Sequence, residues 1–291
     1  MRKDRLDAFG FASMLAVTFV LASSQVLVKL TVVGIQPVFL AGLRSLLSIF
    51  FLLAWMGWKG RLPRNLVADF WPGLAIGLAF SAEFLGLFIA LDLTSVGHAS
   101  ILFYSMPVWF AIAAHFFLDE RLTFTRSAGL LLAFLGAASL ILVRSGTGGE
   151  TSLLGDFCAL VGALGWAATA FLARATRVKE SGQEMPLFWM LLISAPVLIL
   201  ASLGFGPLLR DIQPIHWGLL VFQASVISTG GFIAWLWLFQ TYPSSTVASF
   251  SFLSPVIAVL LGVVIFHEPL TISLAVASVL VAAGIILLNR K

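Results

Sequence analysis

Residues 185–204 read MPLFWMLLISAPVLILASLG, a stretch without a single charged side chain. An α-helix rises about 1.5 Å per residue, so this stretch would be about 30 Å long and would match the hydrocarbon thickness of a bilayer. Hydrocarbon offers the backbone no hydrogen-bonding partner, so a spanning segment must pair its amides internally. The stretch therefore predicts a transmembrane helix.

The whole chain shares the apolar character of this stretch. Of its 291 residues, 60% are hydrophobic and 10% are charged, and the mean hydropathy is +1.06. Soluble domains average about 45–50% apolar and about 25% charged residues. A soluble fold of this size could not bury so many apolar side chains. The composition therefore predicts an all-α polytopic membrane protein without a soluble domain.

Ten apolar segments, bounded by charges, proline or glycine, are long enough to span a bilayer. The first segment follows Arg2, Lys3 and Arg5 and resembles a secretory signal, but its apolar run is long for a signal. We therefore predict a retained first helix. The predicted transmembrane helices are residues 8–30, 37–57, 70–91, 95–118, 124–143, 153–174, 185–204, 215–239, 244–266 and 270–288.

Lys and Arg side chains collect on the cytoplasmic side of membrane proteins with short loops. With the N-terminus inside, the other side holds only Lys29, Arg144 and Arg210, and Arg44 lies within a span. This asymmetry predicts an even number of crossings with both termini in the cytoplasm. The net charge of +4 is spread over many loops, so we expect contact with the lipid bilayer and no binding of nucleic acid.

One sequence frame occurs twice. The segment PVWFAIAAHFFLDERLT, which begins at Pro107, shares the spacing P-x12-E-x-L-T with the segment that begins at Pro255. The frame predicts two repeats of five helices, residues 1–148 and 149–291. An odd number of helices per repeat reverses the second repeat in the membrane. The prediction is thus an inverted repeat, which is typical of secondary transporters that alternate access around a central site.

The repeated frame and several short motifs make the chain similar to the drug/metabolite transporter superfamily, in its ten-helix form with two EamA-type repeats. These motifs are Pro37 with Arg44, Ala90-Leu91, Pro107, Glu120-Arg-Leu-Thr and Glu268-Pro-Leu-Thr. In overall character the chain also resembles the bacterial YddG-type exporters of aromatic and other amino acids. The second half departs from the first at Ile193, where Arg44 would map.

The resemblance implies export of small organic metabolites across a bacterial cytoplasmic (inner) membrane by alternating access, through a central cavity between two inverted repeats. Amino acids, aromatic ones among them, are the implied solutes. A multidrug carrier and a sugar or nucleotide-sugar carrier remain alternatives. A nucleotide-sugar site needs several cations and the spans supply only Arg44, whereas a cation exporter could use Glu83. An intramembrane enzyme is a remote alternative, because the histidines are dispersed, and we predict no enzyme activity.

No cofactor is predicted. The glycine-rich loop at residues 145–150 lacks the lysine of a phosphate-binding loop, and no cysteine and histidine cluster has the spacing of a metal site. The predicted partners are a small-molecule solute and the lipid bilayer, for which a monomer suffices. Uniport and proton coupling, the latter through Glu83 or His98, both remain open.

Ionisable side chains within a span usually face the bundle interior or a water-filled cavity, because hydrocarbon solvates charge poorly. Arg44, Glu83 and His98 meet this description. Arg44 and Glu83 lie at similar depth, which predicts an ion pair that either fastens two helices or takes part in solute or proton binding. His98 is either a hydrogen-bonded interfacial residue or a gate and solute contact.

Uncharged side chains complete the predicted solute pocket. Tyr104 and Trp166 would line it with aromatic faces, because small residues surround Trp166, although membrane aromatics also pack against lipid. Serine and glutamine in membrane helices either bind a solute or join helices and backbone. The candidate hydrogen-bonding residues of the pocket are Gln25, Ser105, Ser251 and Ser254.

Two prolines and two glutamates mark helix interruptions and ends. Pro107 and Pro255 lie near mid-span, and each removes a hydrogen bond of its helix, so we predict a hinge or kink, with direct lining of the site as the alternative. Glu120 and Glu268 stand at span ends before Leu-Thr, which predicts a role in helix-end structure.

Overall fold

The computed structural model describes residues 7–63, 66–117, 124–142, 152–182, 184–242, 250 and 253–288. Over these ranges the regular structure is helical, apart from one isolated β-bridge between Ile35 and Leu209. Ser251 and Glu120, two of the residues singled out above, lie outside the described residues.

The helices follow the apolar segments of the sequence, and their described ends lie within a few residues of the predicted boundaries, apart from the start of the predicted helix 244–266. That helix is described from Leu253 onward, since residues 243–249 and 251–252 lie outside the described residues. A short 3-10 helix, Arg177–Ser181, precedes the eighth helix. The α-helices are α1 (Ala8–Thr31), α2 (Pro37–Trp58), α3 (Leu66–Leu93), α4 (Val96–Phe103), α5 (Met106–Phe117), α6 (Phe124–Leu142), α7 (Leu153–Ala175), α8 (Met185–Ser202), α9 (Pro214–Phe222), α10 (Phe232–Thr241), α11 (Leu253–Phe266) and α12 (Ile272–Leu288).

Two of the predicted spans are interrupted. The fourth consists of α4 and α5, which Tyr104 and Ser105 separate. The eighth consists of α9 and α10, which a π-helical stretch joins at Gln223–Gly231. We call this stretch the π segment. Because π-helical turns are rare and frequently occur at functional sites, the π segment is a candidate part of a functional site.

Seven stretches of the described chain are long and apolar enough to cross a membrane, with α4–α5 and α9–α10 counted as one stretch each. Three further apolar helices are shorter, at Ser127–Gly136, Leu253–Phe266 and Ile272–Gly284. The chain is therefore a multi-pass helical membrane protein. The count of ten crossings and the inverted orientation of the two halves stay predictions.

The third helix contacts α1, α2, α4, α7 and α8, and glycines set its distance to α7. A Cβ atom on Gly86 would lie 2.5 Å from the carbonyl oxygen of Cys158, and one on Gly165 would lie 2.5 Å from the backbone nitrogen of Glu83. Small residues let membrane helices approach until their backbones touch. The backbone of Glu83 is thereby held directly against α7.

The bundle has two ends, which we call the Gln36 end and the Lys59 end. At the Gln36 end, Arg210 binds the Asp92 carboxylate through both terminal nitrogens, at 2.6 and 2.9 Å, and the hydrogen bonds to Asp92 raise the pKa of Arg210. The backbone nitrogen of Arg210 donates to the Gly34 carbonyl oxygen at 2.9 Å, and that of Gln36 donates to the Leu208 carbonyl oxygen at 3.0 Å. The α8–α9 connection thus pairs with the α1–α2 connection at this end.

Toward the Lys59 end a cavity of about 730 Å³ lies between α2 and the π segment with α10. The ammonium group of Lys59 sits over the rings of Trp55 and Trp58, at 4.9 and 4.4 Å from their centroids. The cavity therefore combines aromatic walls with charged and hydroxyl groups. Its lining residues are Phe51, Trp55, Lys59, Arg61, Glu184, Ser225, Thr229, Gly230, Ile233, Ala234, Leu236 and Trp237.

Candidate functional site

The interruption between α4 and α5 lies next to a predicted hinge residue. Tyr104 and Ser105 separate the two helices, and Pro107 follows in the first turn of α5. Proline has no N–H group, so it cannot continue the hydrogen-bond ladder of a preceding helix. Pro255 lies in α11, whose described part begins at Leu253 because residues 251–252 lie outside the described residues. Pro107 therefore stands near a helix start, and the movement of both prolines as hinges stays a prediction.

Three aromatic side chains form a wall beside this interruption. Trp166 of α7 stacks on Phe103 with ring centroids 4.8 Å apart and an interplanar angle of 15°. Tyr104 packs edge-on against Trp166 at 5.8 Å, and its hydroxyl lies near the Ser254 hydroxyl. Such aromatic pairs contribute about 0.5–1.5 kcal/mol each beyond burial. Tyr104, Trp166 and Ser254 are thus brought together.

Gln25 of α1 contacts α4, the helix that carries Phe103 of the aromatic wall. Its side-chain oxygen accepts a hydrogen bond from the Ser100 hydroxyl, one helical turn before Tyr104 on α4. Gln25 and Ser100 are both buried, so the bond joins α1 to α4 inside the bundle. Ser100 is a partner of Gln25 that the sequence alone does not indicate, because a serine in a membrane helix commonly bonds its own backbone.

Arg44 of α2 is 7% exposed, so its charge lies inside the bundle. Its Nε donates to Ser228 Oγ of the π segment at 2.7 Å, and its Nη1 donates to Ser24 Oγ of α1 at 3.1 Å. The guanidinium also lies over Phe84 and Phe88, at 5.2 and 5.6 Å from their ring centroids. Hydroxyls and ring faces thus stabilise a charge that hydrocarbon would not solvate.

Glu83 of α3 is also buried, and it faces the hydroxyl of Thr169 on α7, which donates to the Gly165 carbonyl oxygen at 2.8 Å. Within the described part of the chain, Oε2 of Glu83 has no hydrogen-bonding partner. The Arg44 guanidinium hydrogen-bonds to serines rather than to Glu83, so the two charges interact at longer range. Direct pairing of Arg44 with Glu83 stays a prediction.

His98 has a partner that the sequence alone does not indicate. Its Nδ1 lies 3.3 Å from Oδ1 of Asp156, and the Thr94 hydroxyl donates to the same oxygen at 3.2 Å. Asp156 is fully buried in the first turn of α7, where the helix dipole favours a carboxylate. His98 is thus a hydrogen-bonded residue near the Gln36 end, and a role as gate or solute contact stays a prediction.

Ser105 makes local hydrogen bonds at the helix interruption. Its hydroxyl donates to the Leu102 carbonyl oxygen at 2.6 Å and accepts from Trp109 Nε1 at 3.1 Å. Of the two predicted roles, solute binding and bonding within the helices, these contacts correspond to the second. In this conformation Ser105 therefore shapes the interruption between α4 and α5. The remaining candidate, Ser251, lies outside the described residues.

The π segment contributes polar contacts that an apolar span does not predict. Beside Ser228, which binds Arg44, Thr229 donates its hydroxyl hydrogen to the Ala224 carbonyl oxygen at 3.0 Å, and Ser48 Oγ donates to the same oxygen at 3.3 Å. Buried carbonyl oxygens need such partners when the regular ladder is disturbed. The available sequence signal is QASVISTGG, a polar interruption of an apolar run.

Two long portions of the chain, residues 8–142 and 153–290, each match the model of the EamA-like transporter family, and together they cover nearly the whole sequence. The chain belongs to this family. The EamA domain is thus present twice, which confirms the resemblance to the drug/metabolite transporter superfamily that the sequence motifs indicate.

Several relatives of this EamA-like transporter are themselves named as transporters or as an efflux pump. YvbV, an uncharacterized transporter of Bacillus subtilis (strain 168), is 28% identical over 88% of this chain and 83% of its own length. YoaV of the same organism is 23% identical over 94% of both chains. A protein of Escherichia coli (strain K12) named as a probable amino-acid metabolite efflux pump is 26% identical over 89% of this chain and 88% of its own length.

A solved crystal structure matches the fold of this EamA-like transporter. The TM-score is 0.62 and the sequence identity is 21%, and the match covers 94% of both chains. At this identity the likeness shows the fold alone.

The Trp166 side chain is expected to affect aromatic solutes more than aliphatic ones. Changing Trp166 to Ala removes a stacking surface of about 0.5–1.5 kcal/mol, so if phenylalanine is a solute, the KM for its transport should rise about three- to tenfold. Changing Trp166 to Phe should preserve most of the stacking. Flux of alanine through the same variants is the internal control. Equal losses of flux for phenylalanine and alanine would show that Trp166 does not bind the aromatic side chain of the solute.

Proposed function

We propose that this EamA-like transporter exports small organic metabolites by alternating access, and that amino acids, aromatic ones among them, are its solutes. Membership of the family supports transport, and the name of the Escherichia coli relative supports amino-acid metabolites as the solute class. The chemistry of the buried side chains supports an amino acid in particular.

The observation that carries this proposal is the closeness of a buried cation, a buried anion and an aromatic wall. The Arg44 guanidinium lies over Phe84, which adjoins Glu83 in sequence. Gly165 packs on the backbone nitrogen of Glu83 and adjoins Trp166, which belongs to the aromatic wall. Buried charges without a direct partner are costly and usually functional. The three features therefore lie within one neighbourhood of the bundle.

A zwitterion with an aromatic side chain complements these groups. The guanidinium of Arg44 would receive the α-carboxylate, because its planar N–H groups match the geometry of a carboxylate. The Glu83 carboxylate, whose Oε2 has no partner within the described residues, would receive the ammonium group. The rings of Tyr104 and Trp166 would pack on the side chain, and Gln25 and Ser254 would supply neutral hydrogen bonds.

For the membrane arrangement, we propose ten helices in two inverted repeats, residues 1–148 and 149–291, with both termini in the cytoplasm of a bacterium. The two separate family matches support the division of the chain, and the uneven distribution of Lys and Arg supports the orientation. The bacterial relatives support the inner membrane as the location.

In this arrangement the Gln36 end faces outward and the Lys59 end faces the cytoplasm. The cavity at the Lys59 end would then be the cytoplasmic vestibule. Ser225 and Thr229 of the π segment line it, and Ser228 of the same segment binds Arg44. The π segment would thus separate the vestibule from the charged groups of the site.

Flux of labelled amino acids in proteoliposomes tests the proposed function. We expect exchange of labelled phenylalanine, strong competition by unlabelled aromatic amino acids, and little competition by sugars, nucleotide sugars or cationic dyes. Measurements with and without a pH gradient separate proton coupling from uniport. Absence of amino-acid flux under every gradient, with a folded and monodisperse protein, would defeat the proposal.

A further inference from the structure

The N-terminus of α4 is capped by a carboxylate from far along the chain. The backbone nitrogen of Val96 donates to Oε1 of Glu268 at 2.7 Å, and that of Gly97 donates to Oε2 at 3.0 Å. The next amide, of His98, donates to the Ser95 hydroxyl at 3.1 Å. Helix N-termini carry unpaired N–H groups and a partial positive charge, so a carboxylate bound by two amides is strongly favoured there.

This contact connects the two family matches. Glu268 belongs to the second match and stands between α11 and α12, whereas α4 belongs to the first match. The sequence predicts only a local helix-end role for Glu268. In the structure its carboxylate instead joins the N-terminus of a helix 172 residues earlier in the sequence.

The backbone around Glu268 is shaped to deliver its carboxylate. His267, directly before it, has a φ of +52°, which lies in the left-handed region that non-glycine residues rarely adopt. Such backbone strain persists where the surroundings hold it in place. Gly262 of α11 leaves the space for the carboxylate, since a Cβ atom there would lie 2.7 Å from Oε2 of Glu268.

The helix that Glu268 caps carries part of the proposed site. Ser100, which binds Gln25, lies one turn after the capped amides, and Phe103 and Tyr104 follow in the next turn. Within its own half, α4 is held by the hydrogen bond from Ser100 to Gln25 of α1, whereas His98 contacts Asp156 of α7 in the second half. Glu268 is thus a link between α4 and the second half at the Gln36 end.

We propose that Glu268 is a positioning residue that holds the Gln36 end closed, by capping α4, and that this cap breaks when the site opens at that end. The proposal rests on alternating access as the proposed function. Opening the Gln36 end would draw α4 and α11 apart, and the two amides of Val96 and Gly97 would then exchange the carboxylate for water.

Reactivity of a cysteine one turn below the cap measures this opening. Ser100 is fully buried, so a Ser100→Cys probe in a Cys158→Ser background should react slowly with a membrane-impermeant maleimide added from the Gln36 side. In Glu268→Gln the side chain has only one oxygen to accept from the backbone N–H groups of Val96 and Gly97. Its NH2 group would face the other N–H group, which would lose its acceptor. We expect Glu268→Gln to speed labelling about tenfold, as a loss of one charge-assisted hydrogen bond implies.

Three further variants sharpen the comparison. Glu268→Asp keeps the charge and should retain part of the protection. Gly262→Ala displaces the same carboxylate without changing any charge and should speed labelling as Glu268→Gln does. Glu180→Gln, the same substitution at an exposed residue of the 3-10 helix, should leave the labelling rate unchanged.

Equal labelling rates in the parent, Glu268→Gln and Gly262→Ala would overturn the proposal. If Glu268→Gln fails to fold, Gly262→Ala and Glu268→Asp decide the question. The labelling is measured without solute, so it stands apart from the proposed function. Faster labelling of the variants in a transporter that shows no amino-acid flux would support the role of Glu268 and reject amino acids as the solutes. Amino-acid flux together with unchanged labelling of the variants would support the solutes and reject the role of Glu268.

Discussion

Replacing Arg44 by glutamine is expected to lower amino-acid flux about hundredfold or more. Loss of one partner of a buried, hydrogen-bonded charge pair costs about 2–5 kcal/mol, and each 1.4 kcal/mol is about tenfold in affinity. Glutamine can still bond Ser228 or Ser24, but it offers no charge to the α-carboxylate of the solute. The measurement is initial flux of labelled phenylalanine in proteoliposomes of equal protein content.

Two variants control for effects on the fold. Arg44→Lys keeps the charge but loses the planar guanidinium group, which hydrogen-bonds to Ser228 and Ser24. We therefore expect an intermediate loss of flux. Arg177→Gln removes the same charge from a side chain that is 60% exposed and outside the cavity lining, and should leave flux nearly unchanged. Parent-like flux in Arg44→Gln would show that the solute carboxylate binds elsewhere.

Changing Gly165 to Ala is expected to destabilise the bundle more than any other single-methyl addition considered. The new Cβ atom would lie 2.5 Å from the backbone nitrogen and 2.7 Å from the Cα atom of Glu83, so α3 and α7 would have to separate. Overpacking of this kind costs about 1–3 kcal/mol and more when the opposing atoms belong to the backbone. The measurement is the temperature at which half of the detergent-solubilised protein loses its monodisperse profile.

Gly218 of α9 supplies the matched control, because a Cβ atom there would meet no atom within 4 Å. Gly218→Ala should leave the melting temperature unchanged or raise it slightly, since alanine favours a helix over glycine by about 1 kcal/mol. Similar melting temperatures for Gly165→Ala and Gly218→Ala would mean that α3 and α7 are not packed backbone to backbone.

The sequence predicts the helices of this transporter well, and the reason is physical. In hydrocarbon a single apolar segment that pairs all its backbone amides internally is a helix, so apolar length places a segment such as α8 (Met185–Ser202). The same argument explains why Arg44 and Glu83 stand out, because a charge in an apolar run must face the interior. The sequence motifs and the repeated frame then suffice to indicate the family, which the two family matches confirm.

The partners of the site residues could not be predicted in the same way. Ser228 binds Arg44 only because a π-helical turn presents it, and no hydropathy pattern predicts that turn. Asp156 looks like an ordinary residue of a helix start, yet it is the buried partner of His98. Glu268 likewise looks local, and its contact with α4 depends on how two distant halves pack.

The central claim is that Arg44, Glu83 and the aromatic wall bind an amino acid as a zwitterion. Equilibrium binding of labelled phenylalanine to the purified transporter, with two truncated analogues as competitors, tests it most directly. Phenethylamine lacks the carboxylate and 3-phenylpropionate lacks the ammonium group. We predict saturable binding of phenylalanine that neither analogue displaces at about tenfold higher concentration, because each leaves one buried charge unmatched. Displacement by phenethylamine as effective as by phenylalanine itself would contradict the claim and indicate a carrier of organic cations.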